Sequence, residues 1–424
     1  MNDASLPSRI ISAVEEGFDE QVRFLADLTR LPSLRGNEAP AQDFMADAMK
    51  RRGLSVDRWK VEIDDIRHLP GFSPVAVSYE NAWNVVGAHR PRKPAGRSLI
   101  LNGHIDVVPT GPLDMWSSPP FEPKERDGWM YGRGAGDMKA GIAANLFALD
   151  ALARIGVAPA GDVYLQSVIE EECTGNGALA CLQRGYRADA AIIPEPMGEH
   201  LLSAQVGVMW FQVKVRGRPA HVAVAGTGSN AIEACWPLVQ ALHRLEHRWN
   251  GHGHDAFAGH QHPINFVLSR IEGGDWTSSV PAWCTFDMRI GLFPGMDLAK
   301  ARAAVEATLA EAARQDAYLS SNPPQVVYHG FQAEGWVLPQ GSAAQLLLEE
   351  CHEAVTDDPL PQVASTGTTD ARFFGLYAGI PALVYGPLAE DIHAFDERVS
   401  LDSMRRVTQS IALFVAQWCG VEPR

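Results

Sequence analysis

The chain has 424 residues, 46% of them hydrophobic, and a formal net charge of −15. That length exceeds the ~250–300 residues at which one core stops growing, so a soluble protein of more than one domain is expected. The negative charge argues against a nucleic-acid partner, and no apolar run approaches the ~18 residues that would signal a membrane-spanning helix.

The first expected element is a helix from about Ser8 to Leu31, with apolar Ile11, Val14, Phe18, Val22, Leu25 and Leu28 on one face and Pro32 after it. The opening residues Met1-Asn-Asp-Ala-Ser-Leu-Pro7 show neither the basic nor the apolar region of a signal peptide. A cytoplasmic protein is therefore expected. The six cysteines form no Cys-x-x-Cys pair and read as reduced thiols, with Cys173 near the candidate site but not a required ligand.

Leu99–Leu101 reads as a buried strand, ended by Val107-Val108-Pro109. Residues two apart on a strand point the same way. His104 and Asp106 thus share a face at the strand's carboxyl end, where open α/β sheets build their sites. Alone, the pair also fits a strand-end histidine bonded to a neighbour. Next comes Tyr131-Gly-Arg-Gly-Ala-Gly-Asp137-Met-Lys-Ala-Gly141. The glycines permit tight backbone, and Asp137 is expected at or near the N-cap of the following helix. The run lacks both the Gly-Lys-Ser/Thr ending of a phosphate loop and the dinucleotide spacing.

A strand from Val163 to Ile169 runs into Glu170-Glu171-Glu172 and the glycines Gly175 and Gly177. Adjacent acids at the end of a core strand repel unless cations compensate them. Ala190–Ile193 is another strand, ending on Glu195 between two prolines. Strands and helices alternate to this point, as in an α/β core.

From Val206 to about Glu334 the pattern changes. Val206–Val215 reads as a strand, Asn230–Trp249 as a helix, Pro263–Ile271 and Ala282–Ile290 as strands, Leu298–Leu319 as a helix and Gln325–Phe331 as a strand. The order β-α-β-β-α-β is the split ferredoxin-like arrangement. The core resumes with a helix around Ser342–Val355, then the strand Ala382–Tyr385 and Asp391-Ile-His393-Ala-Phe-Asp396-Glu397. The expected division is 1–205 and 335–424 for a catalytic α/β domain and 206–334 for an inserted domain.

Strand ends and their loops thus supply His104, Asp106, Asp137, Glu171, Glu172, Glu195 and His393. Two imidazoles and several carboxylates suit zinc, cobalt or manganese. Two such ions ~3.5–4 Å apart form a hydrolytic clamp, and one acid must be left over as general base.

In order and spacing the chain resembles the metal-dependent amidohydrolase family of acetylornithine deacetylase, succinyl-diaminopimelate desuccinylase, aminoacylase and glutamate carboxypeptidase. The matching segments are Gly-His104-Ile-Asp106-Val-Val-Pro, Gly-Arg-Gly-Ala-Gly-Asp137-Met-Lys, Glu170-Glu171-Glu172, Pro-Glu195-Pro, Gly217-Arg-Pro-Ala-His221, Asp287-Met-Arg289, Gly367-Thr-Thr-Asp370-Ala-Arg and His393. The resemblance implies an exopeptidase-like catalytic domain, a lid that also mediates a homodimer, and two divalent ions, zinc foremost. Asp137 would bridge the ions, His104 and Glu195 would complete one site, and Glu172 and His393 the other. Asp106 would orient His104. Glu171 would be the general base, with the register of the acids aligned on Gly177. His221 would stabilise the oxyanion, often from the partner subunit. Arg289 would bind a substrate carboxylate, with donors from Gly367, Thr368 and Thr369 nearby.

Two departures stand out. Ser279 in Thr277-Ser-Ser279-Val-Pro281 replaces the Asn frequent among relatives, and Asp396 stands where Asn commonly precedes Glu397. The histidines His252, His254, His260 and His262 read as an exposed lid loop without a catalytic ion. The tryptophans, Trp210 included, read as core, except Trp276 beside Gly273-Gly274, a candidate for pocket lining. The implied activity is hydrolysis of an N-acyl amino acid or related carboxylate-bearing amide. A carboxypeptidase or dipeptidase is the alternative, or hydrolysis of a less usual C–N bond such as an aromatic amine's. A non-catalytic relative is disfavoured because every inferred ligand and the base are present.

Overall fold

The computed structural model describes residues 5–424. Its main sheet runs Ser55–Lys60, Trp83–His89, Val163–Val168, Leu99–His104, Ala190–Ile193, Ala382–Val384. Pairings among the last four strands are parallel, and the two on the other side antiparallel. Every residue of Leu99–His104 and Val163–Val168 is buried, as expected of parallel strands covered on both faces. The long helices Leu6–Thr29, Ala140–Arg154 and Leu401–Trp418 pack against one another over this sheet. The three central strands end side by side, so His104, Glu171 and Glu195 arrive together at one edge.

A second, all-antiparallel sheet has the order Phe266–Gly273, Trp283–Leu292, Gly207–Arg216, Gln325–Ala333. Helices Ala231–His252 and Leu298–Arg314 lie between its strands in chain order. Phe211, Val213, Phe286 and Met288 form with Leu238, Leu242, Val305 and Leu309 a core separate from that of the main sheet. Alternation therefore sends Val208, Trp210 and Arg289 to the opposite sheet face.

Two expectations need correction. The helix beginning at Leu298 ends at Arg314 and not at Leu319, because the Asp316 carboxylate captures the amides of Tyr318 and Leu319, each at 2.8 Å. Asp137 does not cap a helix. Regular helix starts at Ala140, and Asp137 has the extended dihedrals φ −114°, ψ 97°. Among the described residues, no helix is long and apolar enough to cross a membrane.

Candidate active site

His104 is the hub. Its Nε2 lies 3.0 Å from Asp137 Oδ1, 3.6 Å from Glu195 Oε2 and 3.9 Å from Glu171 Oε2. On the other side His393 Nε2 lies 3.4 Å from Asp137 Oδ2 and 3.1 Å from Glu172. Asp137 thus turns one oxygen to each imidazole. Donor atoms of His104, Glu171 and Glu195 gather within 4.8 Å of one another, as do those of His104, Asp137 and Glu172.

The supports differ from expectation in one respect. His104 Nδ1 meets the carbonyl oxygen of Asp106 at 3.0 Å, while the nearer carboxylate oxygen is 3.7 Å away. Backbone therefore makes the shorter contact with the ring. The Asp106 carboxylate accepts the amides of Glu171 and Glu172 at 3.2 and 3.1 Å, and so fixes the turn that presents both acids. Glu170 points elsewhere. It takes a two-pronged ion pair from Arg35 and the hydroxyl of Tyr79 at 2.7 Å, which leaves Glu171 and Glu172 as the acids of this run that face the site.

Glu397 is a functional residue the sequence reading passed over. Its buried carboxylate accepts the amides of Gly134, Gly136 and Asp137, each at 3.0 Å, and pairs with buried Arg133 at 2.6 Å. These bonds hold the glycine-rich loop in its non-helical course and aim Asp137 inward. Gly134 adopts φ +77°, and a Cβ there would stand 2.4 Å from Val107, so a side chain is excluded twice over. The pairing of Arg398–Ser400 with Trp129–Tyr131 brings Glu397 to this loop. An acid just past the His393 loop was the only sequence signal.

The electrostatics test whether cations fit. Burial pushes the carboxyls of Glu171, Glu172 and Glu195 up, Glu171 well above the usual range, and neighbouring carboxylates add to the effect. Asp106 is driven up to about 7 by burial. Burial opposes charge on Asp137 too, but bonds from His104 and His393 outweigh it and hold its pKa low. The imidazoles shift upward: burial lowers His393, yet Asp137 and Glu172 carry it to about 11. Glu171 Oε1 and Glu195 Oε1 are buried without a hydrogen-bond partner among the described residues. Orphaned oxygens in an excess of buried acid are what divalent ions would satisfy, and a bound ion inverts this pKa pattern. His104, Asp137, Glu172, Glu195 and His393 fit that role.

Residues 100–417 match the model of peptidase family M20/M25/M40. The chain belongs to this family. It is 29% identical to the N-formyl-4-amino-5-aminomethyl-2-methylpyrimidine deformylase of Halalkalibacterium halodurans, over 98% of each chain. It is 30% identical to the succinyl-diaminopimelate desuccinylase of Delftia acidovorans, over 88% of this chain and 91% of that one. In fold it resembles the crystal structure of human carnosine dipeptidase 1, with a TM-score of 0.77 at 16% identity over 98% of this chain and all of the other. The yeast dipeptidase Dug1p gives 0.79 at 14% identity over 99% of each chain. This M20 chain is accordingly a hydrolase, and its site holds the donor groups of a metal centre.

Above the acids of the M20 site lies a cavity of about 480 Å³. Arg289, Gly367, Thr368 and Thr369 line it, as do Trp210, Val267 and Phe331 from the antiparallel sheet. Arg289 Nη2 donates to the carbonyl of Thr366 at 3.0 Å. The Thr369 hydroxyl is already committed: it donates to Gln205 Oε1 at 2.7 Å and accepts the amide of Ala371. Thr368 accepts from Gln205 at 3.1 Å, which leaves its own proton available. Asp370 is fully buried with neither oxygen partnered, and burial drives it up to about 7 against the pull of Arg372.

His221 is not among the residues lining this cavity. It is exposed, its Nδ1 accepts the amide of Ala223 at 3.1 Å, and its backbone bridges Ser279. Trp276 does not line the cavity either. Its side chain is 74% exposed, because it sits on a turn outside the strands. Trp210 takes the place expected for it. Strand parity with Val208 is the signal that could have found it. Of the clustered histidines, His262 pairs with Glu246 at 2.9 Å and His254 stacks on Phe293 with ring centres 5.6 Å apart.

Proposed function

We propose that this M20 enzyme is a cytoplasmic deacylase that cleaves the amide C–N bond of an N-acyl amino acid or a related carboxylate-bearing amide. The observation that carries this reading is Asp137, with one oxygen toward His104 and the other toward His393. That arrangement suits two divalent ions, zinc foremost, with cobalt or manganese as alternatives. When bound, such ions polarise the amide carbonyl and acidify water.

The protein's own groups do the remaining work. Glu171 takes a proton from the attacking water and passes it to the departing nitrogen, so the amine leaves neutral and the base is restored. Among the described residues Arg289 has no carboxylate partner, and its guanidinium matches the fork of a substrate carboxylate. Residues 206–334 act as a ferredoxin-like lid on a catalytic domain of residues 1–205 and 335–424. Phe266–Gly273 is an edge strand of the lid sheet with Val267 and Ile271 exposed, which suits pairing with a second copy. In that homodimer His221, which does not line its own cavity, stabilises the oxyanion of the partner's site.

The metal-loaded protein is expected to hydrolyse members of an N-acyl amino acid panel in preference to dipeptides. Chelation should abolish turnover, and zinc, cobalt or manganese should restore it. Undiminished turnover after verified metal removal would overturn the reading. Mixing His221→Ala and Glu171→Gln protomers tests the shared site. If His221 acts across the dimer, subunit exchange puts both lesions in one site and neither in the other, and activity returns. Confirmed exchange without recovery assigns His221 to its own subunit or to no catalytic role.

A further inference from the structure

Arg289 sits in a transverse row of the antiparallel sheet. Its direct cross-strand partner on one side is Trp210, and on the other Val267. All three line the cavity. Phe331 extends the row, its ring meeting the Trp210 indole edge-on at 5.2 Å and 89°. The indole is seated by design of the backbone. Gly330 adopts φ +64°, and a Cβ there would lie 2.4 Å from the indole, so only glycine leaves room for it. Gln332 fixes the same strand by donating to the Trp210 carbonyl at 3.0 Å. The result is one guanidinium flanked by planar and apolar surface.

We propose that this row is a side-chain subsite that selects N-acyl α-amino acids with an aromatic side chain and a short, uncharged acyl group. The inference rests on the amidohydrolase reading given above. Directly opposed residues of an antiparallel pair have Cβ atoms ~4.5–5.5 Å apart. In an α-amino acid the carboxylate and the side chain leave the same carbon. A substrate whose carboxylate meets Arg289 therefore lays its side chain beside Trp210, where a ring gains offset or edge-on contact with the indole. The acyl half follows from charge. Among the described residues lining the cavity, Arg289 is the one lysine or arginine, against the acids Asp137, Glu171, Glu172 and Glu195. An acyl group with its own carboxylate, such as succinyl, finds no second cationic side chain there.

The test compares kcat/KM of the metal-loaded enzyme for N-acetyl-phenylalanine, N-acetyl-tryptophan, N-acetyl-alanine and N-succinyl-phenylalanine. Aromatic acetyl substrates should exceed N-acetyl-alanine by at least tenfold, and acetyl should exceed succinyl by a similar factor. Trp210→Ala should raise KM for N-acetyl-phenylalanine at least tenfold more than for N-acetyl-alanine, with kcat less affected, and Trp210→Phe should recover most of the difference. Calorimetric titration of N-acetyl-phenylalanine into Glu171→Gln protein, with and without Trp210→Ala, reads the same subsite without turnover and should show at least tenfold weaker binding in the double variant. Hydrolysis of acyl amino acids with no aromatic preference, or equal losses on all substrates in Trp210→Ala, overturns the subsite and leaves the deacylase reading standing. No hydrolysis of any acyl amide by fully metallated protein overturns both.

Discussion

Glu171→Gln should lower kcat by at least ~10²-fold, the usual cost of losing a general base, with metal content near normal. The substitution keeps size and a hydrogen-bonding oxygen but cannot accept the proton. Its site explains why the effect should be large. Oε1 is buried with no partner among the described residues, and Oε2 stands 3.9 Å from His104 Nε2, so no other bond among them holds this carboxylate back from chemistry. Because the base form is required, the rate should rise with pH through the group's titration, and the Gln variant should lose that limb. Near-full activity would remove Glu171 from the mechanism. Loss of metal instead would make Glu171 a ligand, a role its place beside His104 and Glu195 also permits geometrically.

The second large effect concerns Asp137. Asp137→Ala should abolish turnover and disrupt both metal equivalents, since one residue serves both donor groups. His393→Ala should lose one equivalent and keep the other more tightly. The two imidazoles differ in exposure, with the His393 side chain 52% exposed and that of His104 1%, so the His393 side is open to solvent and should exchange first. Elemental analysis after dialysis reads the stoichiometry. Two equivalents retained by Asp137→Ala would rule out the bridge.

Much of the site was legible because its residues end buried strands. A run such as Leu99–His104 announces itself by hydrophobicity, and its last residue can hardly avoid the sheet edge where the neighbouring strands Val163–Val168 and Ala190–Ile193 also end. What escaped notice depends on contacts between distant segments. Asp137 looked like a helix cap because glycines before an acid and an apolar run fit that pattern. The amides that would have joined a helix go instead to Glu397, some 260 residues away. Trp210 was assigned to core on residue type, whereas strand parity puts it on the cavity face. The Asp106 carboxylate was paired with the neighbour two residues off, but two amides beyond the next strand hold it more closely.

The Glu397 clasp ties catalytic competence to the order of synthesis. Arg133, Gly134, Gly136 and Asp137 emerge early, yet the carboxylate that shapes them is made only after the whole antiparallel unit and most of the chain. Such remote pairings form late, since loop closure must be met before the contact repays it. A nascent chain stopped before residue 397 would own His104, Asp137, Glu171, Glu172, Glu195 and His393 and still lack the bond that aims Asp137. Asp137 is thus aimed only after Glu397 has been made, 260 residues beyond the loop that it shapes.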